Sequence, residues 1–595
     1  MTPSRLRQAT YRPSPPKIIA SRCPDQEGVL FTRPWHSHYD DGVPASLAPY
    51  DQLTLIDVVR RQAAQRPHAP ALRFEGAVTT YAEMLAQAEA FAHALEQRGV
   101  KRGDRVALLL PNVPQFVIAE LGAWMAGAIV APMNPTYPDD EVAALLERAG
   151  ATVAVVLAPF YDRLKGIQAK TAVRHVVVAH LRDALASPKS LLFRLLKERH
   201  GGHGTEPRAG DDRMSTLIAQ HRGKRPATAP PRADESAVLL PSGGTTGTPK
   251  LVEGTHGGLT VSGRQLDAWL APVLSRGRDT FLVPLPLFHT YGLSGIQSLA
   301  FVGGQSLALV ANPRDTASML RTIRRERPTF PCAVPTLLVA IMSHKDSAKT
   351  GAALRSLKLC FSGAAPLLAE TRSRFESQTG ALVMEGYSLT EAQMAVIANP
   401  PLGAKKIGSV GMPLPDVDLR IVDTEDTTRE VARGEPGEVL VAAPQLMRGY
   451  WNQPDETSAM MSTDTKGVRW LHTGDIGYLD EDGYLFLTDR KKELIKVSGF
   501  QVWPREVEEA ISAHPAVLEA GVAPVSDPGK GEVPKAWVVL RAGQSATADE
   551  LRAFCRGKLA PYKVPVQVSI VTELPKTAVG KVLRRKLREL DVAQR

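Results

Sequence analysis

Short apolar runs alternate with helical stretches along most of this chain. Residues 104–110 (DRVALLL) form one such run, which Pro111 and Asn112 end, and residues 115–127 (QFVIAELGAWMAG) continue with helical periodicity. The same succession recurs later, with apolar runs at residues 151–157, 236–240, 279–283, 305–310 and 356–363. Apolar strands that alternate with helices are typical of buried parallel sheets that helices cover. The pattern therefore predicts an α/β fold.

The pattern changes twice towards the C-terminus. Gly and Pro separate short runs over residues 409–450, which favours strands joined by turns and a small β-barrel-like subdomain. Residues 504–514 (PREVEEAISAH) are then predicted to form a helix with Pro in its first turn. At 595 residues the chain is too long for one hydrophobic core. The predicted division is an N-terminal extension over residues 1–50, a large N-terminal domain of α/β sheets over residues 51–491, and a small mobile α+β C-terminal domain, hinged to it, over residues 492–595.

Charge and cysteine content narrow the function classes. The net charge is +10, from 72 Lys and Arg residues against 62 Asp and Glu residues, but the basic residues are scattered and few aromatic residues lie among them. This distribution indicates a solvated surface and argues against a nucleic-acid partner. The four cysteines lie far apart without CxxC spacing, which supports neither a disulfide framework nor a metal site. A reducing compartment is the simplest interpretation.

Two features bear on the cellular location. The N-terminal residues carry basic side chains among prolines but no apolar run of the kind that a signal peptide requires. The longest apolar stretch, residues 121–133, is shorter than the roughly 18 residues that a membrane span needs. We therefore expect a cytoplasmic protein, with peripheral contact as its only form of membrane association.

Residues 187–200 (SPKSLLFRLLKERH) are predicted to form a basic amphipathic helix. Its leucines share one face, and Lys and Arg residues flank that face. Such a helix can lie on an anionic membrane surface. Packing of the leucine face on the helix's own domain is the commoner arrangement and is the expectation here, with peripheral membrane contact as the alternative.

Residues 241–250 (PSGGTTGTPK) look like a phosphate-binding loop. Pro249 and Leu251, however, stand where the GxxxxGK[ST] signature of P-loop NTPases requires Gly and then Ser or Thr. Backbone N–H groups freed by glycine, Ser and Thr hydroxyls and the Lys250 ammonium can still hold a polyphosphate without that geometry. The stretch therefore predicts a polyphosphate site of another kind.

Residues 384–393 (MEGYSLTEAQ) combine an aromatic ring, a hydroxyl and a carboxylate. The Tyr387 ring can stack on a purine. Thr390 and Glu391 can hold Mg²⁺ that bridges phosphate oxygens. Standing alone, the stretch would be interpreted as a strand and turn with an incidental acid; beside a polyphosphate loop it predicts a nucleotide and metal site.

Residues 472–502 combine an acid with basic residues and glycine where the small domain begins. Asp475 can accept two hydrogen bonds from vicinal sugar hydroxyls, and Arg490 can donate to the same group. A charged exposed hairpin is the structural alternative. The order Asp, Arg, Lys, Lys, Gly at a domain border favours a functional role.

Residues 574–587 (LPKTAVGKVLRRKL) contain a lysine at the start of a predicted basic helix. Lys581 follows Gly580, so it can extend from a loop into the cleft of another domain. We expect the other basic residues of this helix to form a solvated face, namely Arg584, Arg585 and Arg588.

Seven motifs in a fixed order resemble the adenylate-forming superfamily of acyl-CoA synthetases. The resemblance covers about residues 50 to 590, and within the superfamily the overall pattern, including residues 33–47, is most similar to bacterial long-chain fatty-acid–CoA ligases. The motifs are 242-SGGTTGTPK-250, 284-PLPLFHTYG-292, 362-SGAAPL-367, 386-GYSLTE-391, 472-HTGD-475, 489-DRKKELIKVSGFQV-502 and 575-PKTAVGK-581.

The resemblance implies a role for each matching residue. The residues that would hold ATP phosphates are Ser242, Gly243, Gly244, Thr245, Thr246, Gly247, Thr248 and Lys250, with Thr390 and Glu391 for phosphate and Mg²⁺. The residues that would border the adenine and ribose are Ala364, Ala365, Gly386, Tyr387, Asp475 and Arg490. His289 would lie between the acyl pocket and the α-phosphate, and Lys581 would reach the carboxylate and α-phosphate.

The resemblance also implies two orientations of the C-terminal domain. Rotation about a hinge at Lys492 would withdraw Lys581 after adenylation. It would then present a second set of residues to coenzyme A for thioester formation, which are Lys496, Gly499 and Gln501.

The function implied is an ATP- and CoA-dependent ligase that activates a medium- to long-chain fatty acid with the help of Mg²⁺. Two alternatives within the superfamily stay open: an acyl-AMP ligase that loads a carrier protein, and a CoA ligase for an aryl or other carboxylate. A catalytically silent lipid-binding scaffold is the alternative from another class. The sequence leaves open whether the chain is a monomer or a homodimer. Gly244 and Leu251 depart from the common loop pattern, which bears on the mobility of the loop.

Overall fold

The structure, a computed structural model, describes residues 33–198, 200–242, 250–364, 367–498, 500–527, 529–577 and 580–592. Residues 34–595 form one compact unit, and most of the predicted N-terminal extension lies outside the described residues. The strands, in chain order, are β1 (Pro70–Phe74), β2 (Ala77–Thr80), β3 (Arg105–Leu109), β4 (Ile129–Pro132), β5 (Val153–Leu157), β6 (His175–Ala179), β7 (Asp212–Arg213), β8 (Ser236–Ser242), β9 (Lys250–Thr255), β10 (Thr280–Val283), β11 (Ser306–Leu309), β12 (Phe330–Ala333), β13 (Leu359–Ser362), β14 (Leu382–Leu389), β15 (Met394–Ala398), β16 (Met412–Pro413), β17 (Asp418–Val422), β18 (Gly437–Ala442), β19 (Gly449–Tyr450), β20 (Met461–Thr463), β21 (Arg469–Leu479), β22 (Leu485–Arg490), β23 (Ile495–Val497), β24 (Phe500–Val502), β25 (Val517–Asp527), β26 (Gly531–Leu540) and β27 (Gln567–Ile570).

Helices follow many of these strands. In chain order they are α1 (Leu55–Gln65), α2 (Tyr81–Gln97), α3 (Pro114–Met125), α4 (Asp139–Ala149), α5 (Tyr161–Ile167), α6 (Lys189–Leu196), α7 (Met214–Gln220), α8 (His256–Leu270), α9 (Ser298–Gly303), α10 (Thr316–Glu326), α11 (Pro335–Ser343), α12 (Ser347–Leu354), α13 (Ala369–Thr379), α14 (Pro454–Met460), α15 (Pro504–Ser512), α16 (Ala548–Arg556), α17 (Arg584–Leu587) and α18 (Glu589–Val592). Within the described ranges, none of these helices is both long and apolar enough to cross a membrane.

Two large sheets form the N-terminal part of the chain. One has the strand order β16-β15-β14-β13-β12-β10-β11-β1-β2 and the other β19-β9-β8-β4-β3-β5-β6-β7. Their central strands pair in parallel, whereas the pairings at the edges, such as β8 with β9 and β14 with β15, are antiparallel. These sheets with their covering helices confirm the predicted α/β class.

Helix α3 illustrates why the apolar runs predict this architecture. Pro114 occupies its first turn, where a missing N–H costs nothing, and every residue of the helix is buried. The Trp124 indole donates to the Ala237 carbonyl of β8 at 2.8 Å. Each buried Leu, Val or Phe contributes roughly 1.5–3 kcal/mol, so a helix buried on all sides is strongly held.

A smaller antiparallel sheet follows, with the order β17-β18-β21-β20 and β22 paired to β21. A loop with turns joins β17 to β18, as the Gly and Pro punctuation predicts, whereas α14 lies between β18 and β20. The next sheet has the order β24-β23-β26-β25, with β27 paired to β26. The change from one sheet to the other falls between Arg490 and Ile495.

Helix α6 contradicts the expectation that its leucines pack on the protein. The exposed fractions of Leu191, Leu192, Leu195 and Leu196 lie between 51% and 68%. No residue of α6 is buried. The leucine face is therefore directed to solvent.

Candidate functional site

The Asp475 carboxylate lies at the centre of the candidate site. Pairing of β21 with β22 places Asp475 opposite Arg490, whose Nε donates to Asp475 Oδ1 at 2.9 Å. The Tyr387 hydroxyl, from β14 of a large sheet, donates to Asp475 Oδ2. Burial and the Asp475 charge raise the pKa of Tyr387 well above its usual value, so this hydroxyl stays protonated. The two donors stabilise a carboxylate that is only 6% exposed.

Two further predicted residues lie at the carboxyl ends of neighbouring parallel strands. Ala364 follows β13 with a left-handed φ of 67°, and Gly386 lies in β14 beside it. A Cβ at Gly386 would lie 2.3 Å from the Phe361 ring, so only glycine fits there. This edge of a parallel sheet is where ligands of α/β proteins commonly bind. Ala365 lies outside the described residues.

Strands β8 and β9 bring the two ends of the glycine-rich loop together. Their register pairs Ser242 with Lys250, and Ser242 is buried at the end of β8. The predicted loop residues outside the described part of the chain are Gly243, Gly244, Thr245, Thr246, Gly247 and Thr248.

Tyr450 connects Lys250 to Glu391. Its hydroxyl donates to Glu391 Oε1 at 2.9 Å, and Lys250 Nζ lies 4.8 Å from the centroid of its ring. Lys250 also forms an ion pair with Glu456. Tyr450 lies on β19, which pairs with β9 next to Lys250. Nothing in the residue spacing around Tyr450 predicts this role, because β19 reaches β9 only through the folded sheet.

Thr390 and Glu391 meet the requirements of a Mg²⁺ site. They are consecutive residues that open a short 3₁₀-helix, Thr390–Ala392, directly after β14. Tyr450 donates to one Glu391 oxygen, and within the described ranges no protein group donates to Oε2. A carboxylate and a hydroxyl, completed by phosphate oxygens and water, form a donor set that Mg²⁺ commonly uses. The residues present therefore fit the predicted ion.

His289 precedes a buried π-helix, Tyr291–Gln297. The Tyr291 N–H donates to His289 Nδ1 at 3.2 Å, which leaves the ring proton on Nε2. Removal from water lowers the pKa of His289 to about 4. The imidazole is therefore neutral at pH 7 and can donate from Nε2 to a substrate oxygen.

Lys581 lies in a loop that packs against the large N-terminal part of the chain. Gly580 adopts a φ of 80°, and a Cβ there would lie 3.3 Å from Thr336 Oγ1 of α11. Partial removal of solvent and the charge of Arg490 lower the pKa of Lys581 to about 8, while Asp475 acts in the opposite direction. Lys581 keeps an exposed face. The C-terminal lysine thus lies within electrostatic reach of the Asp475–Arg490 pair.

Arg584 corrects one prediction. The sequence predicts a solvated face for Arg584, Arg585 and Arg588, and the last two are exposed. The Arg584 guanidinium is instead largely buried and bonded to three carboxylates, which are Asp489, Glu493 and Glu508. The basic helix begins at Arg584, so Lys581 lies in the loop before it.

The residues predicted for thioester formation lie apart from this cluster. Lys492 and Lys496 are exposed, and the Lys496 N–H donates to Glu532 at 3.3 Å. Gln501 pairs with Lys496 in the β23–β24 hairpin. Gly499 lies outside the described residues. Among described atoms, no hydrogen bond joins Lys496 to Asp475 or Glu391.

Comparison with known proteins agrees with this arrangement. The sequence model of the AMP-binding enzyme family matches residues 59–451, and that of the AMP-binding enzyme C-terminal domain matches residues 506–581. A long-chain-fatty-acid–CoA ligase of Bacillus subtilis (strain 168) is 36% identical over 94% of this chain and 98% of its own length. One of Escherichia coli O157:H7 is 36% identical over 93% of this chain and 98% of its own length. The crystal structure of the anthranilate CoA ligase AuaEII in complex with anthranoyl-AMP has a TM-score of 0.79 and 28% identity, over 91% of this chain and 98% of that one.

The family model spans well over half of the chain, and the two relatives cover nearly all of it. The chain therefore belongs to the family of AMP-binding enzymes. The resemblance on which the sequence interpretation depends is confirmed.

Replacing Tyr387 with phenylalanine should weaken nucleotide binding. Without the hydroxyl, Asp475 keeps Arg490 as a donor but loses a buried hydrogen bond that fixes its orientation. We expect Tyr387→Phe to raise the Kd for Mg·ATP about tenfold, measured by isothermal titration calorimetry.

Tyr478→Phe is the matched control, because Tyr478 stacks on Phe486 with ring centroids 5.0 Å apart and its hydroxyl has no hydrogen-bond partner among the described residues. Equal affinities in the wild type and in Tyr387→Phe would show that the hydroxyl does not orient Asp475 for the nucleotide.

Proposed function

We propose that this chain is an AMP-forming acyl-CoA synthetase that activates a medium- to long-chain fatty acid as its acyl-adenylate and transfers the acyl group to coenzyme A. AMP and pyrophosphate are the other products. The observation that carries the proposal is the convergence of Lys581 with the Asp475–Arg490 pair. The names of the relatives in Bacillus subtilis and Escherichia coli support the fatty acid as substrate.

The nucleotide is held by residues from three sheets. Asp475 accepts hydrogen bonds from the two ribose hydroxyls, with Arg490 donating to the same sugar. The Tyr387 ring borders the adenine together with Ala364, Ala365 and Gly386. Ser242, Lys250 and the loop between them hold the β- and γ-phosphates and release pyrophosphate.

Charge is the main obstacle to adenylation. The substrate carboxylate must approach the α-phosphate of a polyanion, so cationic groups are required around the reacting atoms. Lys581 contacts the carboxylate and the α-phosphate, and neutral His289 donates to an oxygen at the same place. Thr390 and Glu391 would hold Mg²⁺, which would supply further positive charge to the phosphates.

The second step needs a different environment. We propose residues 492–595 as a domain that rotates about Lys492, with residues 51–491 as the body that holds the nucleotide. The change of sheet between Arg490 and Ile495 supports a boundary there. Rotation withdraws Lys581 and brings Lys496, Gly499 and Gln501 to coenzyme A.

A ladder of carboxylic acids tests the proposal. Purified protein is incubated with Mg·ATP and fatty or aromatic acids, with and without coenzyme A, and AMP is measured. We expect CoA-dependent AMP formation that is highest with medium- and long-chain fatty acids, because the relatives in Bacillus subtilis and Escherichia coli are named as long-chain-fatty-acid–CoA ligases.

Preference for an aromatic acid would instead support an aryl-CoA ligase, which is the activity in the name of the anthranilate CoA ligase AuaEII. AMP formed only when a carrier protein replaces coenzyme A would support the acyl-AMP ligase. The absence of AMP with every acid would refute the ligase assignment.

The pH dependence of adenylation should report the charge on Lys581. Its pKa is lowered to about 8, so the ammonium is charged below pH 8 and neutral above it. We expect kcat/KM for acyl-adenylate formation, measured without coenzyme A by hydroxamate trapping, to fall as the pH rises through 8, because this ratio reports the ionisation of the free enzyme.

The variant Lys581→Arg keeps its charge at higher pH and should lose this fall, although at a lower maximal rate. Lys581→Ala should lose adenylation at every pH. If Lys581→Arg shows the same fall near pH 8, a group other than Lys581 is responsible for it.

We also propose that α6 places the enzyme on an anionic membrane surface. Its leucines are exposed, and Arg194 and Lys197, which are exposed beside them, complement anionic headgroups. A peripheral position of this kind would give access to fatty acids dissolved in the lipid.

Sedimentation with phosphatidylglycerol vesicles tests the contact. We expect the double variant Leu195→Ser, Leu196→Ser to lower the vesicle partition coefficient about tenfold, because two apolar side chains leave the interface. The matched control is Ile407→Ser, since Ile407 is 83% exposed on another part of the surface. Equal loss in both variants, or in neither, would contradict a specific role of α6.

A further inference from the structure

Arg584 joins two parts of the chain that the proposed rotation would separate. Its Nη1 donates to Asp489 Oδ1 at 3.0 Å, and its Nε and Nη2 donate to the two oxygens of Glu508 at 2.9 and 2.6 Å. Glu508 lies on α15 and belongs, like Arg584, to the C-terminal side of Lys492. Asp489 lies on β22, opposite Ile476 of β21, on the other side.

Asp489 makes a second contact across the same boundary. Its Oδ2 accepts a hydrogen bond at 2.6 Å from the Arg505 N–H in the first turn of α15. The Asp489 side chain is 2% exposed and that of Arg584 18%. Both groups are thus largely withdrawn from water, where a charged pair is strong and the loss of one partner is costly.

Another ion pair across this boundary is much weaker. Arg541 Nη2 lies 3.7 Å from Glu370 Oε2, and these side chains are 36% and 75% exposed. Exposed pairs of this length contribute little. Among the described ion pairs across the boundary, the Asp489–Arg584 pair is therefore the one suited to fix the orientation of the C-terminal residues.

The position of Arg584 in the chain links this pair to the chemistry. Arg584 is three residues after Lys581. The Lys581 carbonyl accepts a hydrogen bond at 2.8 Å from the Thr577 N–H, and the Leu583 N–H, between the two residues, donates to the Pro575 carbonyl at 2.7 Å. Rotation about Lys492 would carry Arg584 and Glu508 together, so their bidentate pair would persist. Asp489 would stay with β22 and lose both of its donors from the C-terminal side.

We propose that Asp489 is a positioning residue which, through Arg584, selects the orientation that holds Lys581 at the nucleotide. This inference rests on the proposed two-step function. It assigns to Asp489 no contact with substrate. Its contribution is to the adenylation step alone, because the Asp489–Arg584 pair exists only while Lys581 is in the cleft.

Separate assay of the two half-reactions tests the proposal. Asp489→Asn keeps an oxygen that can accept from the Arg505 N–H but removes the charge that Arg584 requires. We expect this variant to form acyl-adenylate about tenfold more slowly, because a charge-assisted hydrogen bond is lost. The KM for ATP should change less than twofold. Thioester formation from supplied acyl-adenylate and coenzyme A should be unchanged or faster.

Arg585→Gln is the matched control, since Arg585 is adjacent, equally basic and exposed, and should affect neither half-reaction. Arg584→Gln should resemble Asp489→Asn. Because it also leaves Glu508 without its bidentate partner, its melting temperature is measured beside its rates. If Asp489 acts through Arg584, the double variant should be no slower in adenylation than the slower single variant.

Three outcomes would overturn the inference: equal losses in both half-reactions, a rise in the KM for ATP that accounts for the slower adenylation, or additive effects in the double variant. Failure of the wild type to carry out either half-reaction would instead refute the proposed function, so the two failures are distinguishable.

Discussion

The pairing of the buried Asp475 with Arg490 and Tyr387 is the interaction on which the site depends. An unpaired carboxylate at this depth would cost several kcal/mol, so the protein must supply donors wherever it places this charge. Arg490 is supplied by the register of β21 against β22. Tyr387 is supplied by β14 of a large sheet. The carboxylate therefore fixes the small antiparallel sheet relative to the large sheet, and the proposed nucleotide site lies at that junction.

Interactions between charged groups also determine the surroundings of the C-terminal residues. Removal from water, together with repulsion by the nearby Arg490 charge, lowers the pKa of Lys581 to about 8. A bound anion would reduce this repulsion, so the site favours an anionic ligand. A few residues on, Arg584 faces three carboxylates, those of Asp489, Glu493 and Glu508. A cationic pocket thus adjoins an anionic cluster, and the short segment from Lys581 to Arg584 connects them.

The sequence predicts the helices and strands better than the side-chain contacts between them. Apolar runs identify β3, β5, β10 and the buried α3, because each run satisfies a local periodicity. The motifs identify Asp475, Arg490 and Lys581, because each of these residues lies in a short motif of neighbouring residues. The contacts of Tyr450 and Arg584 are not predicted from the sequence. Their partners, Glu391 and Asp489, lie 59 and 95 residues away along the chain. A basic helix gives no local sign of which of its arginines is buried, and so the expectation of a solvated face is correct for Arg585 and wrong for Arg584.

For the amphipathic helix α6, the sequence predicts the helix itself but not what its apolar face contacts. Its periodicity correctly predicts a helix, but periodicity does not say whether the apolar face contacts protein or solvent.

The folded structure resolves a similar ambiguity at Leu251. The residue departs from the common loop pattern, yet its side chain is 2% exposed and packs in an apolar cluster with Leu239 of β8. Packing of Leu251 fixes the start of β9, and with it the backbone of Lys250. The Leu251 side chain therefore anchors the lysine end of the glycine-rich loop.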